Sequence, residues 1–221
     1  MLNCGLGTVL MPILAIVVLV KGRSLLQNIL QFLEGEQMGG IIVIIAVAAV
    51  CLLASMNDMV VPSVSLEGKN LWILQSLPVK PWNILRAKLS MQLLLTGIPV
   101  FLCEVCIVVC VRADAVQSLF ILILPLIFTV MLTVFGLFLG INMPNLTWTN
   151  ELAPIKQSLS VVISMFGGWA VAVGMVGLYF AGGKKLGEIG YLSLVTLVFV
   201  LISAGLYLWL KRKGAEKFIG L

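Results

Sequence analysis

Histidine is absent from the 221 residues of this chain. With it go the commonest general base, the Ser-His-Asp and Cys-His pairs, and every zinc motif that uses imidazole. The residues left that could do chemistry are few. Glu104 is the one ionisable residue well inside an apolar run. Insertion scales charge about 2.5–3.5 kcal/mol for a carboxylate at the bilayer centre, so Glu104 should face protein or water, not lipid. Two readings follow: a group lining a substrate path or carrying a proton, and a protonated packing residue hydrogen-bonded to a neighbour. Cys103, Cys106 and Cys110 stand at i, i+3 and i+7 on one helical face. Glu104 points about 100° away from Cys103, so it does not complete a ligand set, and the three thiols read as small packing residues. No G-x-x-x-x-G-K-[ST] run occurs, so the chain binds no nucleotide through a P-loop and is expected to hold no cofactor itself.

The elements that must position these residues follow from composition. Hydrophobic residues make up 61% of the chain and charged ones 10%, with mean hydropathy +1.17. Soluble domains carry about 45–50% apolar and about 25% charged residues. This chain cannot cover a water-facing globule, and the class is an integral membrane protein. Five cysteines, all in or beside apolar runs, make a poor disulfide framework. The formal charge of +5 gathers at the ends of apolar segments, which suits lipid headgroups and orientation rather than nucleic acid.

A spanning helix needs roughly 20 mostly apolar residues. Six stretches qualify: 2–20, 39–56, 89–111, 115–143, 158–183 and 189–210. The expected fold is therefore all-α, a polytopic bundle of about six transmembrane helices forming one transmembrane domain over 1–221. The fourth stretch is long, and Pro125 offers it a place to kink. Placing both termini in the cytoplasm puts Lys69, Lys80, Arg86, Lys88, Lys156, Lys211, Arg212, Lys213 and Lys217 inside. Lys21, Arg23, Arg112, Lys184 and Lys185 then fall outside, nine against five. Trp72, Trp82, Trp148 and Trp209 mark the inner interface, and Tyr179 and Tyr191 the outer one. Lys21 and Arg23 dissent locally, as if Met1 were not the natural start. Between the first two spans, residues 23–34 have the apolar spacing of a short helix lying in the outer interface, or of a loop packed on the bundle. Gly136 with Gly140, and Ala170 with Gly174, are small-xxx-small pairs that favour close helix packing.

Residues 62–88 are too polar to span yet rich in Leu, Ile and Trp. They predict an amphipathic helix over about 66–76, stopped by Pro78, and a second helix opened by Pro81 that runs into the third span. Such an elbow is either an interfacial anchor or a docking surface for a cytoplasmic partner. Its residues Ser65, Leu66, Glu67, Gly68 and Lys69, then Trp72, Leu74, Ser76, Leu77, Pro78 and Val79, and finally Ala87 and Lys88, resemble the first cytoplasmic loop of ABC exporter permeases. A second likeness lies over about 144–157, where Asn142, Pro144, Trp148, Asn150, Glu151, Lys156, Gln157 and Ser158 resemble the second cytoplasmic loop of the larger Gram-positive branch. The opening residues Leu2 to Gly7 also resemble the start of a span in that branch, of which this chain looks like the C-terminal half.

The resemblance implies a transport subunit, not an enzyme, in a bacterial plasma membrane. ATP would be hydrolysed by a separate cytoplasmic ABC ATPase. Glu67, Gly68, Lys69, Trp72, Leu74, Leu77 and Pro78 would dock on it, and the chain would pair with a copy of itself or with another permease half. The chain departs from many such permeases in having only a tight turn over 182–188 between the last two spans. Rival readings are a proton-coupled carrier using Glu104, and a membrane assembly or immunity protein without transport. Missing histidine and the lack of clustered carboxylates argue against an intramembrane enzyme.

Overall fold

The computed structural model describes residues 6–32, 39–76, 78–111, 114–146, 148 and 158–220. Among them every regular element is helical: α1 (Leu6–Phe32), α2 (Gly39–Ala54), α3 (Leu71–Ser76), α4 (Pro81–Val111), α5 (Ala115–Asn142), α6 (Leu159–Ala181), α7 (Glu188–Trp209) and α8 (Ala215–Ile219). Four helical stretches are long and apolar enough to cross a membrane: Pro81–Val111, Ala115–Asn142, Leu159–Ala181 and Glu188–Ile219. Two shorter apolar helices, Gly7–Lys21 and Ile41–Ala54, accompany them.

Proline places one boundary as expected. Pro81 opens α4, where its missing N–H is harmless, and the helix then runs unbroken to Val111. The first half of the elbow differs from the expected single helix. Residues Ser65–Asn70 form a 3₁₀ turn interrupted at Gly68, and α-helix begins only at Leu71. The stretch after the first span also differs. Residues up to Phe32 continue α1 as one helix, with no break at Lys21.

The central helix is α5, which packs against α2, α4, α6 and α7, while α1 lies along α4. Its interior proline frees a carbonyl, and two hydroxyls serve the turns that follow. Thr129 Oγ1 donates to Pro125 O and Thr133 Oγ1 to Thr129 O, each at 2.8 Å. Polar side chains inside α5 are thus satisfied by its own backbone, as apolar surroundings require.

Long-range contacts fix which ends lie together. At one end, Gln75 Nε2 donates to Phe218 O at 2.9 Å, Lys217 Nζ to Asn142 Oδ1 at 2.7 Å, and the Asn145 N–H to Ser65 Oγ at 3.0 Å. The elbow, the end of α5 and the C-terminal helix therefore share one end, and Gly7 joins them by packing beside Asn57. At the other end, Cys110 Sγ reaches Val18 O at 3.2 Å, and Gln117 Nε2 donates to Glu188 Oε2 at 3.1 Å. The run Lys211–Lys213 is more than a stop signal: it lies in a π-helical turn through which α7 continues into α8, with Phe218 buried.

The glycine pairs divide. A Cβ on Gly136 would stand 2.8 Å from the Val61 side chain, and one on Gly140 2.5 Å from the Val61 carbonyl oxygen. These two glycines let α5 close on the segment after α2. Gly174 faces open space instead, and on α6 it is Gly168 that packs, its Cβ position 2.5 Å from Ser55 Cβ.

Candidate docking elbow and the polar layer behind it

Short-range chemistry first makes the elbow rigid. Leu66 N–H donates to Pro62 O at 2.8 Å, and Ser63 Oγ to Val60 O at 2.6 Å. Gly68 adopts φ +43° and ψ −121°, a conformation open to glycine and strained for other residues, and the Trp148 indole fills the place a Cβ would take, 2.9 Å away. Trp148 Nε1 also donates to Ser65 O at 2.6 Å. The segment after α5 thus clamps the elbow through an indole whose close approach only a glycine at 68 could accommodate.

Lys88, in the second turn of α4, donates to Ser63 O at 3.0 Å and forms an ion pair with Glu67. Both partners are mostly buried, so the pair ties the elbow to α4 more firmly than an exposed one would. Glu67 therefore faces inward along the elbow, and its second carboxylate oxygen is buried without a partner. Trp72 and Ile73 point outward, 65% and 46% exposed, and Pro78 and Val79 are exposed beside them. Leu71 on the opposite face of α3 is buried against Leu85, Leu89 and Phe218. Leu77 and the side chains of Lys69 and Leu74 lie outside the described residues, as do 147 and 149–157 of the second loop.

Trp82 meets Tyr207 edge-on at 5.2 Å between ring centroids, and Trp209 meets Phe138 at 4.7 Å. With Trp72 and Trp148 at the elbow itself, all four expected interfacial tryptophans gather at one end. Tyr179 and Tyr191 pack against each other at 5.3 Å away from it.

Behind the elbow the bundle has two apolar cores. One surrounds Val61, Leu85, Leu137, Leu210 and Phe218; the other surrounds Ile44, Val100, Leu124, Phe128 and Leu192. Polar residues lie between them along several elements. After α2 they are Ser55, Asn57 and Asp58; on α4 Gln92 and Thr96; on α5 Thr133; on α6 Ser160 and Ser164. All are buried. Asn57 Nδ2 and Gln92 Nε2 donate to Thr96 Oγ1 at 2.7 and 2.9 Å, and Gln92 Nε2 also reaches Asn57 O. Asp58 sits in the connection after α2, outside the spanning segments. Burial pushes its carboxyl up to about 7, and only Ser164 opposes the shift. The approach of Ser164 falls short of a well-formed hydrogen bond, since its hydroxyl has no partner by geometry.

Glu104 lies two turns beyond Thr96 on α4, fully buried within the second core, and neither carboxyl oxygen has a hydrogen-bond partner. It faces protein, as its cost in lipid demands, but without the bonded neighbour one reading supplied. Cys103 is buried beside it, Cys106 and Cys110 are half-buried, and none of the described cysteines is paired. Among the described residues no three Cys, Asp or Glu side chains group as metal ligands.

The polar layer escaped sequence reasoning. Asn57 and Asp58 fall just past the edge of an apolar stretch, where polar residues are ordinary. One signal was present: Lys88, Gln92 and Thr96 recur every four residues, which puts them on one helical face. Comparison with known protein families, curated proteins and solved structures finds no match.

Proposed function

We propose that this chain is the membrane permease subunit of an ATP-driven ABC exporter, with six helices crossing a bacterial plasma membrane and both termini in the cytoplasm. The observation that carries the reading is the elbow: a rigid, clamped platform that turns Trp72 and Ile73 outward and is tied by Glu67 and Lys88 to the start of a 31-residue helix. An interfacial anchor needs apolar side chains but has no use for a strut to α4. A lever needs both.

A cytoplasmic ABC ATPase takes the exposed face, with Trp72 as the apolar anchor and Pro78 exposed nearby, and Lys69, Leu74 and Leu77 remain docking residues on the strength of the loop resemblance alone. Glu67 and Gly68 act one step behind, holding the face in place through Lys88 and Trp148. Closure of two ATPase subunits on ATP pushes the elbow, α4 tilts with it, and access passes from one side of the membrane to the other. The membrane half pairs with a second copy or another permease half.

Affinity purification from native membranes in mild detergent, followed by mass spectrometry, tests this directly. Stoichiometric recovery of a P-loop ATPase, lost in Trp72→Asp and in Glu67→Lys, is the expected result. A folded chain that comes alone even after cross-linking overturns it and turns attention to the proton-coupled carrier, with Glu104 as its working residue, or to a non-transporting assembly or immunity protein.

A further inference from the structure

Two cations at the elbow end of the bundle have no partner of their own. Arg86 on α4 and Lys211 after α7 are exposed, and among the described residues neither forms an ion pair or stacks on a ring. They differ in this from Lys88 and Lys217, which are held by Glu67 and Asn142. Both also stand at one depth. Arg86 lies three residues before the apolar run 89–111, and Lys211 directly follows the run 189–210. In a bilayer that is the headgroup level.

The two helices touch at this depth. Trp82, half-buried, meets the exposed Tyr207 edge-on at 5.2 Å between ring centroids. Arg86 follows Trp82 by four residues and Lys211 follows Tyr207 by four, so each cation shares a helix face with one ring. Side chains on a helix lean toward its N-terminus. Because α4 starts at this end and α7 finishes there, the two cations lean back on the same aromatic contact from opposite directions.

No described carboxylate at this end serves them. Glu67 is held by Lys88, Asp58 is buried, and Glu216 shares its face with Arg212 rather than with Lys211. Two like charges aimed at one place suit an anion, and the surroundings say which. Below them the exposed side chains are apolar: Met91 and Leu94 on α4, Leu201 and Leu208 on α7. Trp and Tyr rings are at home beside the glycerol region of a lipid. A zwitterionic headgroup brings a cation of its own, so paired cations select a net-negative one.

We propose that Arg86 and Lys211, flanking the Trp82–Tyr207 contact, bind the phosphate of one acidic phospholipid whose acyl chains lie along α4 and α7. The planar guanidinium of Arg86 takes two phosphate oxygens and Lys211 adds a point charge. The site does not depend on whether an ATPase docks on the elbow.

The test titrates the full chain, delipidated in mild detergent, with phosphatidylglycerol or phosphatidylcholine of identical acyl chains. Native mass spectrometry and Tm are the readouts. One phosphatidylglycerol should be retained per chain where phosphatidylcholine is not, with a higher Tm. Arg86→Gln and Lys211→Gln should each weaken retention about fivefold, and the double variant at least tenfold. Their lipid-free Tm should match the parent, since neither residue has a partner to lose. Replacing Lys184 and Lys185 by Gln removes the same charge at the opposite end and should leave retention unchanged. Glycerol 3-phosphate should not compete. Equal retention of both lipids, or undiminished retention in the double variant, overturns the proposal. Equal weakening on loss of Lys184 and Lys185 overturns it by reducing the effect to net charge. Competition by glycerol 3-phosphate overturns it by making the occupant a soluble phosphate ester.

Discussion

The two apolar cores are built from similar residues and yet respond to different demands. The core around Phe128 and Leu192 joins helices that rise side by side, and almost any well-packed apolar set would serve it. The core around Leu137 and Phe218 must also hold a turn and an elbow, neither of which satisfies its own backbone as a long helix does. Its specificity comes from polar devices around it: the Glu67–Lys88 pair, the Trp148–Gly68 clamp and the Asn57–Gln92–Thr96 network. One region is fixed by volume, the other by partners. Truncations should therefore be graded by size in the first and by lost polar partners in the second.

The largest effect that would sharpen this contrast is a pH response confined to the polar region. Asp58 holds its proton in the folded chain up to about pH 7 but releases it near 4 when unfolded. The folded state binds more protons between those values, so stability falls as pH rises from about 4 to about 7, by at most about 4 kcal/mol. Thermal unfolding at successive pH values should show the slope, and Asp58→Asn should flatten it. Phe128→Ala comes next, costing about 3 kcal/mol through lost packing with no change in that pH slope. If its slope changed too, the two regions would not be separable.

Thr96→Val should cost about 2 kcal/mol despite its matching volume, because two buried amide donors lose their acceptor. An equal-volume change in the Phe128 core, such as Leu124→Met, should cost less, and chemical denaturation of the two variants side by side reads the difference. Lys88→Met should cost about 1–2 kcal/mol by stranding Glu67. Adding Glu67→Gln in a double-mutant cycle should recover part of it. Smallest of all, Trp72→Ala should leave Tm within a degree or two, since the side chain is mostly exposed, while abolishing recovery of the ATPase. A large loss of Tm there would make Trp72 a structural residue and weaken the docking reading.

What could be read from the chain followed this same division. Features set by local chemistry were legible: the apolar helices, the start of α4 at Pro81, the end of α3 before Pro78, and the burial of Glu104 away from lipid. Features set by distant partners were not. Gly68 gives no sign of its positive φ until Trp148, eighty residues on, is seen filling its side. Asn57 looks like loop polarity until Thr96 comes beside it, and Lys211–Lys213 look like a charged stop until the helix is seen to run on through them to a buried Phe218. Gly174 failed as a packing residue for the converse reason: its spacing was right, but no neighbour approaches.

The contact between the elbow and α8 also sets an order of manufacture. Gln75 on the elbow bonds to the carbonyl of Phe218, 143 residues later. At typical ribosomal speeds that separation is roughly 10–30 s of synthesis. Throughout that interval the nascent elbow waits at the membrane face without Phe218 against its inner side, so the platform is completed only once α8 has been made.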